Sequence, residues 1–220
     1  MRSRILLLGL ALLLSLSAQA QWRVGVTGGA CYNVFSMDKQ YMNDYQIDGR
    51  WGGTAGISAQ YDFSDWLAVR ADLNWARKNY RKHRVVLSQM DYRYKNDYLQ
   101  LPVIASFSVG GARLRGICNL GMYAGYWLAS RREGSDYNSF GEYSVTFNEK
   151  IKFNSKTDQR LDFGFVGGLG LEYRIASNWA VQAETRCYLS TMSTTKQYMR
   201  VKDYRYNTTV AAQLGVFYIF

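Results

Sequence analysis

From Trp51 to Phe63 the chain alternates strictly. Trp51, Gly53, Ala55, Ile57, Ala59, Tyr61 and Phe63 fall on one side, and Gly52, Thr54, Gly56, Ser58, Gln60 and Asp62 on the other. Successive side chains of an extended chain point to opposite faces, so this period of two predicts a strand with one apolar and one polar face. Seven further runs share the pattern. Val24, Val26, Ala30 and Tyr32 mark the first, over about 22–35. Leu67 to Trp75 forms the third, with Arg70, Asp72 and Asn74 on its polar side. Leu99 to Phe107 and Leu114 to Leu128 give the fourth and fifth. Phe163 to Tyr173 gives the sixth, against Asp162, Glu172 and Arg174. Trp179 to Leu189 is the seventh, with Gln182, Glu184 and Arg186 opposite, and Val210 to Phe220 closes the set. No segment carries a helical period. The expected fold is all-β, an antiparallel barrel of eight strands.

Alternation alone does not say which face is buried, because a soluble ligand-carrying barrel alternates too. Two features favour an apolar face toward lipid. The polar face of the second run is small and nearly uncharged, which suits a crowded lumen better than a water-facing wall. The aromatics also gather at run ends. Trp51 and Tyr61 are ten residues apart on one face, about 25 Å along the axis of a barrel with strands tilted ~40°. That is the height of an outer-membrane apolar band with its two aromatic girdles, and Trp75, Phe163, Tyr173, Trp179, Tyr218 and Phe220 fit the same rims.

The connections agree. Links at 64–66, 108–112 and 175–178 are short, whereas those at 36–48, 77–95, 130–161 and 190–206 are long. Strict alternation of this kind predicts short periplasmic turns and long outer loops, with both termini in the periplasm. Pro102 stands against a regular fourth strand, since it cannot donate to a ladder, and a bulge is the expected remedy.

Arg2 and Arg4 precede an apolar run from Ile5 to Leu14, and Ala18-Gln19-Ala20 follows. This reads as a secretory signal over 1–20, cleaved to leave a barrel domain over 21–220. The chain of 220 residues carries 27 Lys and Arg against 17 Asp and Glu, or +10, and loss of the two arginines would leave +8. Such a basic balance also suits nucleic acid, but an exported chain does not meet it, so no nucleic-acid partner is expected. Cys31, Cys118 and Cys187 are few and scattered, which excludes a disulfide scaffold.

Three segments resemble the PorT-like outer-membrane β-barrel proteins of the Bacteroidetes. They are Asp97-Tyr98-Leu99-Gln100-Leu101-Pro102-Val103, Gly121-Met122-Tyr123-Ala124-Gly125-Tyr126-Trp127-Leu128 and the glycine-rich run from Asp162 to Tyr173. The terminal Phe220, with Tyr218 two residues earlier, resembles the signal read by the outer-membrane insertion machinery. The resemblance implies a barrel of about eight strands in the cell outer membrane, with no assigned catalytic residue. One branch of the family is linked to protein secretion.

Candidate chemistry is sparse. Arg70 with Asp72, Glu172 with Arg174, Glu184 with Arg186, and Arg115 nearby form a predicted lumen charge network. In a barrel this narrow such pairs plug the interior, with a small pore as the alternative. Arg77, Lys78, Arg81, Lys82 and Arg84, with His83 among them, make a basic cluster above Trp75 suited to lipid phosphates or acidic glycans. His83, Ser88 and Asp91 are the only residues that suggest a lipid-modifying enzyme, and they lack triad spacing, so no catalytic residue, metal or cofactor is expected. Alternation returns from Ser144 to Phe153 inside the 130–161 loop, predicting a β-arm able to pair with a protein partner. The function these features support is a non-enzymatic structural or binding barrel, with a secretion accessory as the alternative.

Overall fold

The computed structural model describes residues 21–37, 44–85, 90–137, 144–196 and 204–220, so the expected signal segment lies outside the described residues. Among the described residues there are nine strands: β1 (Gln21–Met37), β2 (Tyr45–Asp62), β3 (Leu67–Arg84), β4 (Asp91–Gly110), β5 (Leu114–Tyr137), β6 (Ser144–Lys150), β7 (Leu161–Ala176), β8 (Trp179–Ser190) and β9 (Arg205–Ile219). All pair antiparallel in one sheet of order β4-β3-β2-β1-β9-β8-β7-β5-β6, and a further β4–β5 pairing closes it.

The expected count of eight is therefore corrected to nine. The addition is β6, which comes from the alternating segment of the 130–161 loop and pairs with β5 from Arg131↔Lys150 to Tyr137↔Ser144. Those β5 residues lie beyond the stretch Leu114–Tyr126 that pairs with β7. The strands are also longer than the apolar alternation suggests. Most of the expected 77–95 loop is strand: β3 runs on to Arg84, β4 begins at Asp91, and the two stay in register out to His83↔Asp91.

Burial identifies the solvent. Ile57, Leu169 and Leu214 are 58%, 68% and 65% exposed, while Thr54, Asn74 and Gln213 are 5%, 1% and 4% exposed. Along the strands of the ring most polar side chains point in and most apolar ones out, as along β9, where buried and exposed residues alternate from Asn207 to Ile219 apart from half-buried Thr208. A wall of leucine, isoleucine, valine and phenylalanine this large would be untenable in water and is what hydrocarbon requires. Ring closure satisfies the backbone inside such a solvent.

Outward aromatics mark both ends of the wall. At the short-turn end Trp22 packs on Tyr61 at 5.0 Å between ring centroids, and Trp179 on Tyr218 at 5.2 Å. At the long-loop end Tyr32 meets Trp51 edge-on at 5.3 Å. Two irregularities shape the upper wall, one between Arg50 and Thr54 on β2 and one where β4 meets β5 at Asp97/Tyr98. Gly52 lies in the first, and a Cβ there would stand 1.9 Å from the carbonyl oxygen of Arg77.

Pro102 does not sit at a bulge. Ala71↔Val103 and Asn74↔Gln100 keep one register on either side of it, and the β3–β4 ladder lapses between them, while β5 continues to pair opposite it at Tyr123. A missing N–H is thus absorbed by a local gap in one ladder rather than by an extra residue.

The orientation is tested by charge on the outer wall. Leu214→Lys, near mid-height, should cost about 2–4 kcal/mol of folding free energy in lipid, and Val109→Lys, beside a short turn, about 0–1 kcal/mol. Urea titration of the chain folded into phosphatidylcholine vesicles measures both.

Candidate functional site

The lumen is organised around four charged side chains. Arg70 and Asp72 point inward from β3, and Glu184 and Arg186 from β8. These strands stand on opposite sides of the ring. Arg70 Nε donates to Asp72 at 2.7 Å and its Nη2 lies 3.3 Å from Glu184. Arg186 pairs with Glu184 at 2.6 Å and donates to Asp72 as well. Each acid meets both arginines, so the quartet is a closed ring of ion pairs across the full width of the barrel. Arg70 also donates to Gln182 at 2.9 Å and Ser58 at 3.1 Å, and its guanidinium lies 4.8 Å from the centre of the Phe217 ring. Asn119 on β5 donates to the second oxygen of Glu184 at 2.7 Å.

Two further layers flank the quartet. Toward the short-turn end, Arg23 donates to both oxygens of Glu172 at 2.9 and 2.8 Å and to Asp62, while Gln60 holds the other oxygen of Asp62 at 2.8 Å. Gln182 donates to Glu172 at 2.7 Å and so links this layer to the quartet. Toward the long-loop end, Lys78 Nζ reaches Asp162 at 2.8 Å and lies 4.6 Å from the Tyr98 ring centre, while Tyr123 donates to Asp162 at 3.2 Å. Above it, Asn207 on β9 contacts the Tyr98 hydroxyl of β4 at 3.5 Å, again across the ring. Among the described residues, five buried carboxylates (Asp62, Asp72, Asp162, Glu172, Glu184) face four buried cations (Arg23, Arg70, Lys78, Arg186) and the half-buried Arg174. Charges removed from water persist only when matched in this way.

Of the predicted network, Arg70, Asp72, Glu172, Glu184 and Arg186 come together. Arg174 is peripheral, 3.8 Å from Glu172, whose principal partner is Arg23 rather than Arg174. Arg115 lies outside the network: it turns toward the β2–β3 turn and donates to the Asp65 carbonyl at 3.1 Å. Arg23, Asp62, Lys78 and Asp162 join it without being named by the sequence pattern. Asp62 and Asp162 stand on the polar faces of their runs and Arg23 beside Val24 in the first, whereas Lys78 lies three residues beyond Trp75, where only the strand period itself points to the lumen.

The basic cluster above Trp75 does not exist as one patch, because β3 continues through it and sorts it by parity. Arg77 and Arg81 face out, and Lys78, Lys82 and Arg84 face in. Lys78 is fully buried, so it leaves the candidate phosphate set for the lumen. Lys82 and Arg84 lie over the Tyr45 ring at 4.1 and 5.1 Å, and Arg84 approaches Asp44 at 3.6 Å. Arg77 pairs with Asp97 and Arg81 with Asp91, each at 2.8 Å.

These strand extensions form a small sheet, β2-β3-β4-β5-β6, standing on the long-loop end. Its inner side is aromatic: Phe35, Tyr80 and Tyr94 stack at 4.3 and 4.6 Å, and Arg132 lies over Tyr92 and Phe147 at 5.8 and 4.9 Å. Burial and a hydrogen bond to Asp136 push the Tyr92 hydroxyl up to about 12. Burial alone would raise Asp91, but hydrogen bonding and charge from Arg81 and then Arg93 hold it below the usual carboxylate range. His83 lies 3.4 Å from Asp48, Asp91 is committed to its arginines, and Ser88 is outside the described residues. Cys31 points inward and is buried, Cys118 and Cys187 are half-buried, and all three are free thiols.

Asp72→Ala should destabilise the barrel by about 3–5 kcal/mol, because two buried arginines are left with one acid. The urea midpoint of folding into vesicles reads this directly. The sheet extension has its own pH dependence. A carboxylate whose pKa is depressed on folding stabilises above its ordinary value of 3.8 and loses that contribution as pH falls through the lower folded value. The protection of amides at 79–84 and 91–96, corrected for the intrinsic exchange rate at each pH, should therefore be high at neutral pH and fall below about pH 4, with Asp91→Asn low throughout.

Comparison with known proteins places the architecture. The sequence pattern of the outer membrane protein beta-barrel domain matches residues 6–220. The structure is similar to Neisserial surface protein A, at 12% identity with a TM-score of 0.53, covering 91% of this chain and 99% of that one. It is also similar to the outer membrane protein OprG from Pseudomonas aeruginosa, at 12% identity and a TM-score of 0.54, covering 90% and 95%. Likeness at this identity concerns the fold alone. No curated protein matches the sequence.

Proposed function

Because this chain belongs to the outer membrane protein beta-barrel domain family and resides in the outer membrane, we propose that it is a sealed, non-enzymatic barrel that acts through its outer face. Residues 1–20 are a cleaved signal, 21–220 are the barrel, and the terminal Phe220 is presented to the insertion machinery. Eight strands (β1–β5 and β7–β9) cross the membrane, with short turns in the periplasm, and β6 stands outside. Among outer-membrane barrels the chain groups with the PorT-like proteins of the Bacteroidetes.

The observation that carries this reading is the set of bridges across the lumen. Arg70 and Asp72 touch Gln182, Glu184 and Arg186 on the opposite wall, Arg23 touches Glu172, and Lys78 touches Asp162. An eight-stranded ring is just wide enough for its own side chains. Here those side chains meet and hold one another by charge, so an ion entering would have to break matched pairs. Ser190 donates to Asp162 at 2.5 Å, but Asp162, like the other acids of the lumen, is held by arginine or lysine. What remains available to partners is the sheet at the long-loop end.

Reconstitution into planar bilayers tests the reading. The wild-type chain should give no single-channel steps at neutral pH, while Glu184→Ala with Arg186→Ala, which removes half of the quartet, should admit small ions. Discrete steps from the wild type, altered by Arg186→Ala, would establish the small pore instead.

A further inference from the structure

The outward face of the upper sheet carries cations in a pattern that strand pairing alone disfavours. Lys95 on β4 stands opposite Arg131 on β5, and Arg131 stands opposite Lys150 on β6. Like charges directly opposite on neighbouring strands are about 5 Å apart and destabilise the pair. One step lower, Arg77 faces Asp97. Two of the four cations are compensated within the protein: Arg77 by Asp97 and Lys95 by Glu133, each at 2.8 Å. Among the described residues the side chains of Arg131 and Lys150 make no hydrogen bond or close ion pair, although the Glu133 carboxylate held by Lys95 also feels the Arg131 charge. All four cations, with Asp97, Ala129 and Ser130, line one cavity of about 300 Å³.

The cavity has a defined height. Trp75 precedes Arg77 by two residues on the same face, and the Arg77 guanidinium lies 5.2 Å from the centre of the Trp75 ring. On β5 the exposed Tyr126 and Leu128 lie just below Arg131. Two residues of tilted strand rise about 5 Å, so the lysine and arginine row sits one to two steps above the edge of the apolar band. That is the level of lipid headgroups. The same face continues sideways into a second hollow of about 390 Å³ lined by Asp48, Gly49, Arg50, Arg81 and Arg93.

We propose that the cavity between Arg77, Lys95, Arg131 and Lys150 binds the phosphate of an outer-leaflet lipid headgroup. Lys150 supplies charge that no carboxylate holds, Arg131 adds charge that shares only Glu133 with Lys95, and Arg77 and Lys95 close the sides. The cavity opens on the wall of the barrel rather than on its top, so lipid molecules are the first anions to reach it, and their chains rest on the apolar surface below. This rests on the reading that the long-loop end faces the cell exterior, but not on whether the lumen conducts.

The test uses the full chain folded in phosphatidylcholine nanodiscs with and without lipid A, and native mass spectrometry counts the lipid A retained per protein. The wild type should retain phosphorylated lipid A. Arg131→Gln with Lys150→Gln should lower retention about tenfold, as expected for the loss of charge-assisted contacts. Lys150→Gln alone, on a strand outside the closed wall, should give an intermediate loss, and Arg113→Gln in a short turn none. Heat-modified migration on gels verifies folding of each variant. Equal retention of dephosphorylated lipid A would show that the acyl chains bind and overturn the proposal. Retention unchanged in the double and single variants would overturn it too. Full displacement by inorganic phosphate would assign the site to a soluble anion, and displacement by a sulfated oligosaccharide would assign it to a glycan; either overturns the lipid assignment. Because conductance is measured separately, a leaky barrel that still binds lipid A would refute the sealed lumen and leave this site standing.

Discussion

The structure depends on matching charge across the lumen of the ring. Closing the sheet into a ring brings Arg70 and Asp72 on one wall within hydrogen-bonding reach of Gln182, Glu184 and Arg186 on the other. Any one of these groups alone would be costly to bury. Together they neutralise one another and tie strands that share no ladder. Ladder hydrogen bonds fix each strand to its neighbours, but only contacts across the ring couple β3 to β8 or β4 to β9. A slip of one residue anywhere would turn the paired charges into lipid and the leucines into the lumen. The polar interior thus sets register as strongly as the apolar exterior does.

The same period of two continues where the apolar signal stops. Above Trp75 both faces of β3 are polar, so hydropathy no longer distinguishes them, yet pairing with β4 persists to His83↔Asp91. A second set of interactions takes over there: stacked aromatics inward, at Phe35, Tyr80 and Tyr94, and ion pairs outward, at Arg77–Asp97, Arg81–Asp91 and Lys95–Glu133. Exposed ion pairs of this kind contribute little individually. Their value here is in keeping the strands extended, so that what hydropathy reads as a loop stands as a rigid sheet.

This explains what was legible in the sequence. Wherever one face met hydrocarbon, alternation identified the strand, its inward residues and its neighbours. Five of the seven expected lumen charges are in the network for that reason. Asp162 was already on the polar face of its run, but a lone acid at a strand end names no partner; only the ring brings Lys78 to it. Lys78 reads as part of a basic loop in the sequence because the apolar signal of its strand ends at Trp75. Residue type alone suggests the lumen for Arg115, but its position beside a turn gives it the Asp65 carbonyl. Pro102 shows the converse limit: a residue forbidden by the ladder rule is accommodated by skipping a step on one side while the other side stays paired.

Sorting by parity also decides where the excess positive charge resides. The lumen is balanced, with five carboxylates against four buried cations and Arg174, so it holds almost none of the +10 of the chain. On the outward face of the upper sheet the described strands place Arg50, Arg77, Arg81, Arg93, Lys95, Arg131 and Lys150 against Asp48, Asp91, Asp97 and Glu133. A net positive charge just above an apolar wall is least screened where the low-dielectric bilayer lies beneath it, and it acts on anions held at that height. Changes at that rim leave the paired charges of the lumen intact, because the two sets of side chains lie on opposite faces of the same strands.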